Sequence, residues 1–193
     1  MKNKTYNIMI TGVGGQGSLL ASRILGALAI NKGYDVKVSE VHGMSQRGGS
    51  VVTYVRYSED KVCSPVICRG EADVLICFEQ LEAARWLEYL KPDGLLVTNT
   101  QKIIPMPVVI GQAEYPEGII ESIKAKGIKT VALDALAAAK EAGSDKAVNI
   151  CLLGAYAKHS EFSKDEFLSC IEKLVPPKFL EINLKAFSAG YSL

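Results

Sequence analysis

The fold class is decided by one segment near the start of the chain, Tyr6-Asn7-Ile8-Met9-Ile10-Thr11-Gly12-Val13-Gly14-Gly15-Gln16-Gly17, where an apolar run leads into a glycine-rich turn. Tyr6 to Thr11 predicts a strand, and Gly15 to Lys32 predicts a helix. Gly12, Gly14 and Gly17 therefore match the G-x-G-x-x-G pattern in the strand–turn–helix setting that this motif requires.

The chemistry of this glycine turn points to an anion. Glycine permits a tight turn and a close backbone approach, and the N–H groups at the start of a helix favour a bound phosphate. The alternative is a purely structural turn that binds nothing. The candidate cofactor-binding residues in the turn are Gly12, Gly14, Gly15, Gln16 and Gly17.

Short apolar runs and longer amphipathic stretches alternate along the rest of the chain. Further strands are predicted at 35–40, 50–57, 73–78, 95–99 and 129–133, and helices at 79–90, 116–126, 135–142, 145–159, 164–174 and 178–186. Pro105 and Pro107 interrupt a predicted edge strand, and Ser163 with Glu166 matches a helix capping box. We expect one α/β domain spanning 1–193, with a doubly wound, mostly parallel, Rossmann-like sheet and a helical C-terminal third.

The composition excludes several classes of function. The chain has 193 residues, 48% of them hydrophobic and 22% charged, with a net charge of +1. This balance argues against a nucleic-acid or anionic membrane surface, and no apolar run reaches the roughly 18 residues that span a bilayer. We read no targeting segment, and the odd count of five cysteines fits a reducing cytoplasm.

A second candidate loop follows the strand at 35–40. Glu40 ends that strand, where a dinucleotide site has an acid for the ribose. Arg47 is suited to a bidentate pair with phosphate or carboxylate, and His42 to hydrogen bonding or titration. The alternative is that Arg47 pairs with a partner subunit and His42 is an ordinary loop residue. The candidate residues here are Glu40, His42, Gly43, Arg47, Gly48 and Gly49.

Together these two loops resemble a known family. Gly-Val-Gly-Gly-Gln-Gly at 12–17 and Ser-Glu-Val-His-Gly-Met-Ser-Gln-Arg-Gly-Gly-Ser-Val at 39–51 are similar to the gamma-type domain of 2-oxoacid:ferredoxin oxidoreductases. The stretch from His42 to Gln46 favours the small (beta) subunit of the indolepyruvate branch. Weaker similarities lie at Asn149, at Leu152-Leu153-Gly154-Ala155 and around Gly190.

The resemblance implies that this chain is one component of a larger enzyme. The family decarboxylates 2-oxoacids oxidatively with coenzyme A and passes electrons to ferredoxin, using thiamine diphosphate and iron–sulfur clusters. The chain has no thiamine-diphosphate signature and no dense C-x₂-C spacing. We therefore expect no catalytic residue and no metal site in this chain, and place those cofactors on a large (alpha) subunit. The resemblance also implies that the domain contacts coenzyme A, with the glycine turn facing the diphosphate.

The cysteines also indicate that the iron–sulfur clusters are held by the large subunit. Cys63 and Cys68 form the one close pair, with no second pair nearby, so we do not assign them a metal. Cys77, Cys151 and Cys170 lie in apolar stretches and are expected to be core thiols.

Alternatives remain open from sequence alone. One is a gamma subunit for pyruvate or branched-chain 2-oxoacids, because the partner's pocket would largely set the substrate. A second is a free-standing NAD(P)-binding oxidoreductase that uses Glu40, and a third is a structural assembly domain. In isolation, the chain is expected to be able to form a two-fold homodimer.

Overall fold

The computed structural model describes residues 5–41 and 49–193, and in this part of the chain six strands form one sheet. The strands are β1 (Tyr6–Val13), β2 (Asp35–Val41), β3 (Ser50–Ser58), β4 (Ala72–Cys77), β5 (Leu90–Asn99) and β6 (Lys129–Leu133). Their order across the sheet is β2-β3-β1-β4-β5-β6. The helices are α1 (Ser18–Asn31), α2 (Gln80–Trp86), α3 (Met106–Val109), α4 (Ile119–Ala125), α5 (Ala135–Glu141), α6 (Val148–Ala157), α7 (Lys164–Leu174) and α8 (Pro177–Ser192).

The predicted mostly parallel sheet is confirmed, with one strand reversed. β1 pairs in parallel with β4, β4 with β5, and β5 with β6. β3 runs antiparallel to both β1 and β2, and separates them. A parallel neighbour needs a crossover of about a dozen residues or more, and the link between β2 and β3 is shorter than that.

Helices cover both faces of the sheet because the strand residues alternate between them. Ile8 and Ile10 pack on the face that carries α1 and α5 to α8, whereas Met9 packs on the face that carries α2 and α4. The carboxyl ends of β1, β4, β5 and β6 lie at one edge of the sheet, which we call the carboxyl edge. Open α/β sheets bind their ligands at this edge.

The C-terminal third is helical, as predicted, and α6 is its centre. All ten residues of α6 are buried, which explains why its sequence is apolar without a polar face. Ser163 and Glu166 form both hydrogen bonds of the predicted capping box at the start of α7.

Several predicted elements have different bounds, and the helix expected at 178–186 runs from Pro177 to Ser192. The helix expected at 79–90 ends at Trp86, and a short 3₁₀ turn leads directly into β5, which begins at Leu90 and runs through Pro92 and Gly94. Lys91 forms an ion pair with Asp73 at 2.5 Å, which fixes this early part of β5 beside β4. The edge strand expected near Pro105 is instead the short helix α3, with proline in its first turn.

Candidate functional site

The glycine turn joins β1 to α1 at the carboxyl edge. Gly15 and Gly17 adopt positive φ angles of 93° and 85°, which side-chain-bearing residues rarely do. Gly12 is required for a different reason: a Cβ there would lie 2.8 Å from Gln16 Oε1 and 3.1 Å from Phe78 Cβ. These three positions therefore need glycine whether or not the turn binds a ligand.

Gln16 folds back across the turn and uses part of its hydrogen-bonding capacity. The N–H of Val13 donates to Gln16 Oε1 at 2.7 Å, and Gln16 Nε2 donates to the Phe78 carbonyl at 3.2 Å. The N–H of Gly14 donates to the Gly49 carbonyl at 3.1 Å. The N–H groups of Val13 and Gly14 are thus already engaged, and an anion would have to be held further along the turn.

The open side of the turn is at Gly15. A Cβ placed on Gly15 would meet no atom within 4 Å. A cleft of about 220 Å³ begins here, and Lys146 contributes a cation and Asp145 a carboxylate to its wall. Its lining comprises Gly15, Gln16, Gln101, Ile103, Leu136, Asp145, Lys146 and Val148. We call this space the Gly15 cleft.

Asn149 closes the turn from the side of α6. Its Nδ2 donates to the Gly17 carbonyl at 3.1 Å, and a Cβ on Gly17 would lie 2.5 Å from the same nitrogen. The sequence indicated Asn149 only as a point of family resemblance. An asparagine at the start of an otherwise wholly apolar helix was the signal that it has a polar partner.

Glu40 lies beside the glycine turn. Its Oε1 accepts a hydrogen bond from Ser18 Oγ at 3.1 Å, and Ser18 is the first residue of α1. The two predicted loops therefore meet at Glu40 and at Gly49, although β3 lies between β1 and β2. The candidate residues His42, Gly43, Arg47 and Gly48 lie outside the described residues.

Sequence analysis missed a buried carboxylate that organises the next part of the carboxyl edge. Glu79 follows β4 and caps α2 by accepting from the Glu82 N–H at 3.0 Å. It also accepts from the Ile103 N–H at 3.2 Å and from the Tyr115 hydroxyl. Burial raises the pKa of Tyr115, and its hydrogen bond to Glu79 raises it further. The feature of the sequence that could have indicated this role is the position of Glu79, a carboxylate directly after a fully apolar strand.

Glu82 is also buried and anchors the start of β3. It accepts hydrogen bonds from the Ser50 hydroxyl and from Trp86 Nε1, and it pairs with Arg85 at 3.1 Å. A second cleft, of about 500 Å³, lies between this cluster and the 103–116 segment. Pockets of this size accept small molecules or inserted side chains.

The cysteines occupy the expected environments. Cys77, Cys151 and Cys170 are buried, which confirms them as core thiols, whereas Cys63 and Cys68 are exposed. Burial raises the pKa of Cys151 to about 11. Among residues 5–41 and 49–193, no three His, Cys, Asp or Glu side chains are grouped so as to hold a metal ion. The helices in those ranges include none with the length and apolar character needed to cross a membrane.

Known proteins resemble this chain in sequence and in fold. The chain is 45% identical over 194 residues to the indolepyruvate oxidoreductase subunit IorB of Thermococcus kodakarensis, covering 97% of this chain and 95% of that one. The structure matches the keto/oxoacid ferredoxin oxidoreductase gamma subunit from Geobacter sulfurreducens with a TM-score of 0.71 and 27% identity, covering 97% and 96% of the two chains.

A longer protein contains the same fold. The 2-oxoglutarate:ferredoxin oxidoreductase from Magnetococcus marinus, solved with 2-oxoglutarate, coenzyme A and succinyl-CoA bound, matches with a TM-score of 0.75 and 21% identity. The match covers 98% of this chain but 31% of that one. The sequence itself matches the pyruvate ferredoxin/flavodoxin oxidoreductase family from residue 7 to residue 193. With nearly its whole length matched, this chain belongs to the pyruvate ferredoxin/flavodoxin oxidoreductase family.

Proposed function

We propose that this chain is the small subunit of an indolepyruvate (arylpyruvate) ferredoxin oxidoreductase and supports coenzyme A-dependent oxidative decarboxylation of 2-oxoacids by a large subunit. The observation that carries this proposal is the 45% identity, over nearly the full length of both chains, to a subunit of that name. The complex would act in the cytoplasm and pass its electrons to ferredoxin.

The redox cofactors belong on the large subunit in this proposal. Thiolates hold iron–sulfur clusters, and burial raises the pKa values of the Cys77, Cys151 and Cys170 thiols, which disfavours the thiolate form. The exposed thiols, Cys63 and Cys68, are two, whereas a cluster takes four ligands. These donors do not fit a cluster held by this chain alone.

Coenzyme A is the ligand that suits the residues of this chain. Its phosphate groups would enter the Gly15 cleft, where the backbone at Gly15 is open and Lys146 supplies a cation. Arg47 would add a charge-assisted hydrogen bond from the second loop. Asp145 in the same wall would repel phosphate oxygens, so the phosphate would have to approach on the Lys146 side.

Reconstitution tests the function as a whole. The chain alone should be colourless and inactive, whereas its complex with the large subunit encoded in the same genome should reduce a dye with indolepyruvate or phenylpyruvate and coenzyme A. If pyruvate were a far better substrate than any arylpyruvate, the branch assignment would be wrong. Dye reduction by the chain alone would contradict the subunit role.

A pair of glycine variants tests the coenzyme A site. Gly15→Ala and Gly33→Ala place a Cβ at φ angles of 93° and 84°, with no atom within 4 Å at either position. Both should therefore lose about 1–2 kcal/mol of stability from the backbone alone. Only Gly15 lines the cleft, so only Gly15→Ala should raise the KM for coenzyme A in the reconstituted complex. Equal KM values for both variants would contradict the binding of the coenzyme A phosphate in this cleft.

Arg47→Ala separates a ligand role from an interface role. A hydrogen bond to a charged group is worth about 1.5–3 kcal/mol, so the variant should raise the coenzyme A requirement by roughly one to two decades. Weaker subunit association with an unchanged coenzyme A requirement would instead assign Arg47 to the interface.

A further inference from the structure

The 103–113 segment after β5 carries a group of exposed apolar side chains at the carboxyl edge. Ile104, Met106, Val109 and Ile110 expose 49%, 62%, 63% and 56% of their surface. Single exposed apolar residues are common on soluble proteins, but a contiguous group marks a surface that another molecule covers. We call this group, with the 500 Å³ cleft behind it, the apolar face.

The apolar face is held in place by hydrogen bonds and prolines. The N–H groups of Val108 and Val109 donate to the Pro105 carbonyl at 3.0 and 3.1 Å, and the Gln112 N–H donates to the Pro107 carbonyl at 2.8 Å. The buried Glu79 accepts from the Ile103 N–H at the start of the segment and from the Tyr115 hydroxyl just beyond its end. A surface ordered in advance loses little conformational entropy when a partner binds.

The cleft behind α3 offers a place for an inserted side chain. Its mostly apolar wall combines Leu81, Ile103 and Val108 with the rings of Pro105, Pro107 and Pro116, and Arg85 and three glutamates add charged groups. Large apolar side chains that enter such pockets dominate the energy of protein interfaces. The chemistry therefore suits a protein partner that presents an aromatic or aliphatic anchor.

The apolar face is continuous with the proposed coenzyme A site. Val13 and Gly49, which flank the glycine turn, line the 500 Å³ cleft, and Ile103 lines both this cleft and the Gly15 cleft. A molecule seated on the apolar face would therefore border a ligand held at Gly15.

We infer that the apolar face is the surface on which the large subunit docks, an inference that rests on the proposed function. Coenzyme A held at the glycine turn must extend its thiol to a reaction centre on the large subunit. That subunit must therefore lie against the carboxyl edge. A second copy of this chain on the same face would obstruct the edge and keep the large subunit from it.

Two charge substitutions test the inference. Met106→Glu and Val109→Glu should each raise the Kd for the large subunit at least tenfold, because each buries a carboxylate in an apolar interface. Ile30→Glu is the matched control, because Ile30 is also 62% exposed but lies at the far end of α1. The control should bind like wild type, and circular dichroism should show all three variants folded. Val109→Ser gives a second, milder change at the same position and should weaken binding less.

The outcomes distinguish the docking inference from the proposed function. Wild-type affinity in both glutamate variants would overturn the docking inference and leave the proposed function intact. Variants that turn a dimeric isolated chain into a monomer, while binding the large subunit normally, would assign the face to a second copy and also overturn it. Failure of the wild-type chain to bind the large subunit would instead reject the proposed function, and the docking inference with it.

Discussion

At the scale of single residues, the contact between Gly17 and Asn149 joins the start of α1 to α6. Gly17→Ala should cost more stability than Gly15→Ala, although both positions have similar positive φ angles. The difference arises because the new Cβ on Gly17 would lie 2.5 Å from Asn149 Nδ2, whereas the one on Gly15 meets nothing. Urea unfolding should show an excess of about 1–3 kcal/mol for Gly17→Ala, the usual cost of overpacking.

A double variant isolates the steric part of that excess. Removing the side chain in Asn149→Ala should make a subsequent Gly17→Ala less costly, so the two losses should not add. Additive losses, or equal losses for Gly15→Ala and Gly17→Ala, would contradict a packing role for Asn149.

The sequence predicted which residues form the glycine turn but not which of its N–H groups are open. The motif requires glycine at Gly12 and Gly17, and both have steric reasons for it in the structure. The side chain of Gln16 reaches Phe78 across 62 positions in sequence. A contact over that distance depends on the tertiary fold, so a local pattern carries no sign of it.

At the scale of elements, the capping box at α7 predicts a measurable loss. Ser163 Oγ accepts from the Glu166 N–H, and Glu166 Oε2 accepts from the Ser163 N–H at 2.6 Å. Ser163→Ala should lower the free energy of unfolding by about 1 kcal/mol, the usual value of such a cap. Ser192→Ala is the control, because the Ser192 hydroxyl also bonds backbone, donating to the Ser188 carbonyl at 2.9 Å, but caps no helix N-terminus.

The same capping box predicts a pH dependence. The hydrogen bond from the Ser163 backbone lowers the pKa of Glu166 below its ordinary value. A carboxyl with a lowered pKa in the folded state stabilises the fold above its unfolded pKa, and this contribution is lost as the pH falls through the folded pKa. The stability of wild type relative to Glu166→Gln should therefore decline on acidification below about pH 4.3. A difference that stays constant between pH 7 and pH 3 would contradict this assignment.

The bounds of helices and strands were predictable from the sequence where local patterns set them. They were not predictable where tertiary contacts set them. The capping box is local and was predicted correctly. The early start of β5 was not, because Pro92 and Gly94 normally end regular structure, and Lys91 is held beside β4 by Asp73. The α3 segment reads as an interrupted strand, but Pro105 is the N-cap of a short helix and Pro107 lies in its first turn.

At the scale of the whole molecule, alternating strands and helices predicted the sheet and its two helical layers. The reversal of β3 has a simple cause that the sequence already contains: β2 ends at Val41 and β3 begins at Ser50, and a link this short cannot carry a parallel crossover. The consequence for the site is that β2 is separated from β1 by β3, and Glu40 of β2 still contacts α1 by accepting a hydrogen bond from Ser18. Parallel neighbours were expected because the other strands alternate with helices.

The last prediction concerns the packing of α6 against α8. Here helix propensity and close packing predict changes of opposite sign in the free energy of unfolding. Replacing a helical glycine by alanine ordinarily stabilises a helix by about 1 kcal/mol. A Cβ on Gly190 would overlap the Cys151 carbonyl, and one on Gly154 would overlap the Phe187 carbonyl. Since all ten residues of α6 are buried, α6 has no room to withdraw, and a shift of α8 would open its packing around Ala186 and Phe187.

Gly154→Ala and Gly190→Ala should therefore destabilise the fold, by about 3 kcal/mol or more, the upper part of the range for overpacked cores. Ser188→Ala, two positions from Gly190 on α8 and only partly buried, raises helix propensity without such an overlap and should be neutral or slightly stabilising. Thermal unfolding of the three variants provides the measurement. A higher midpoint for Gly190→Ala would mean that α8 can move away from α6. In that case the packing of α6 and α8 would not be rigid enough to fix the position of Asn149 beside the glycine turn.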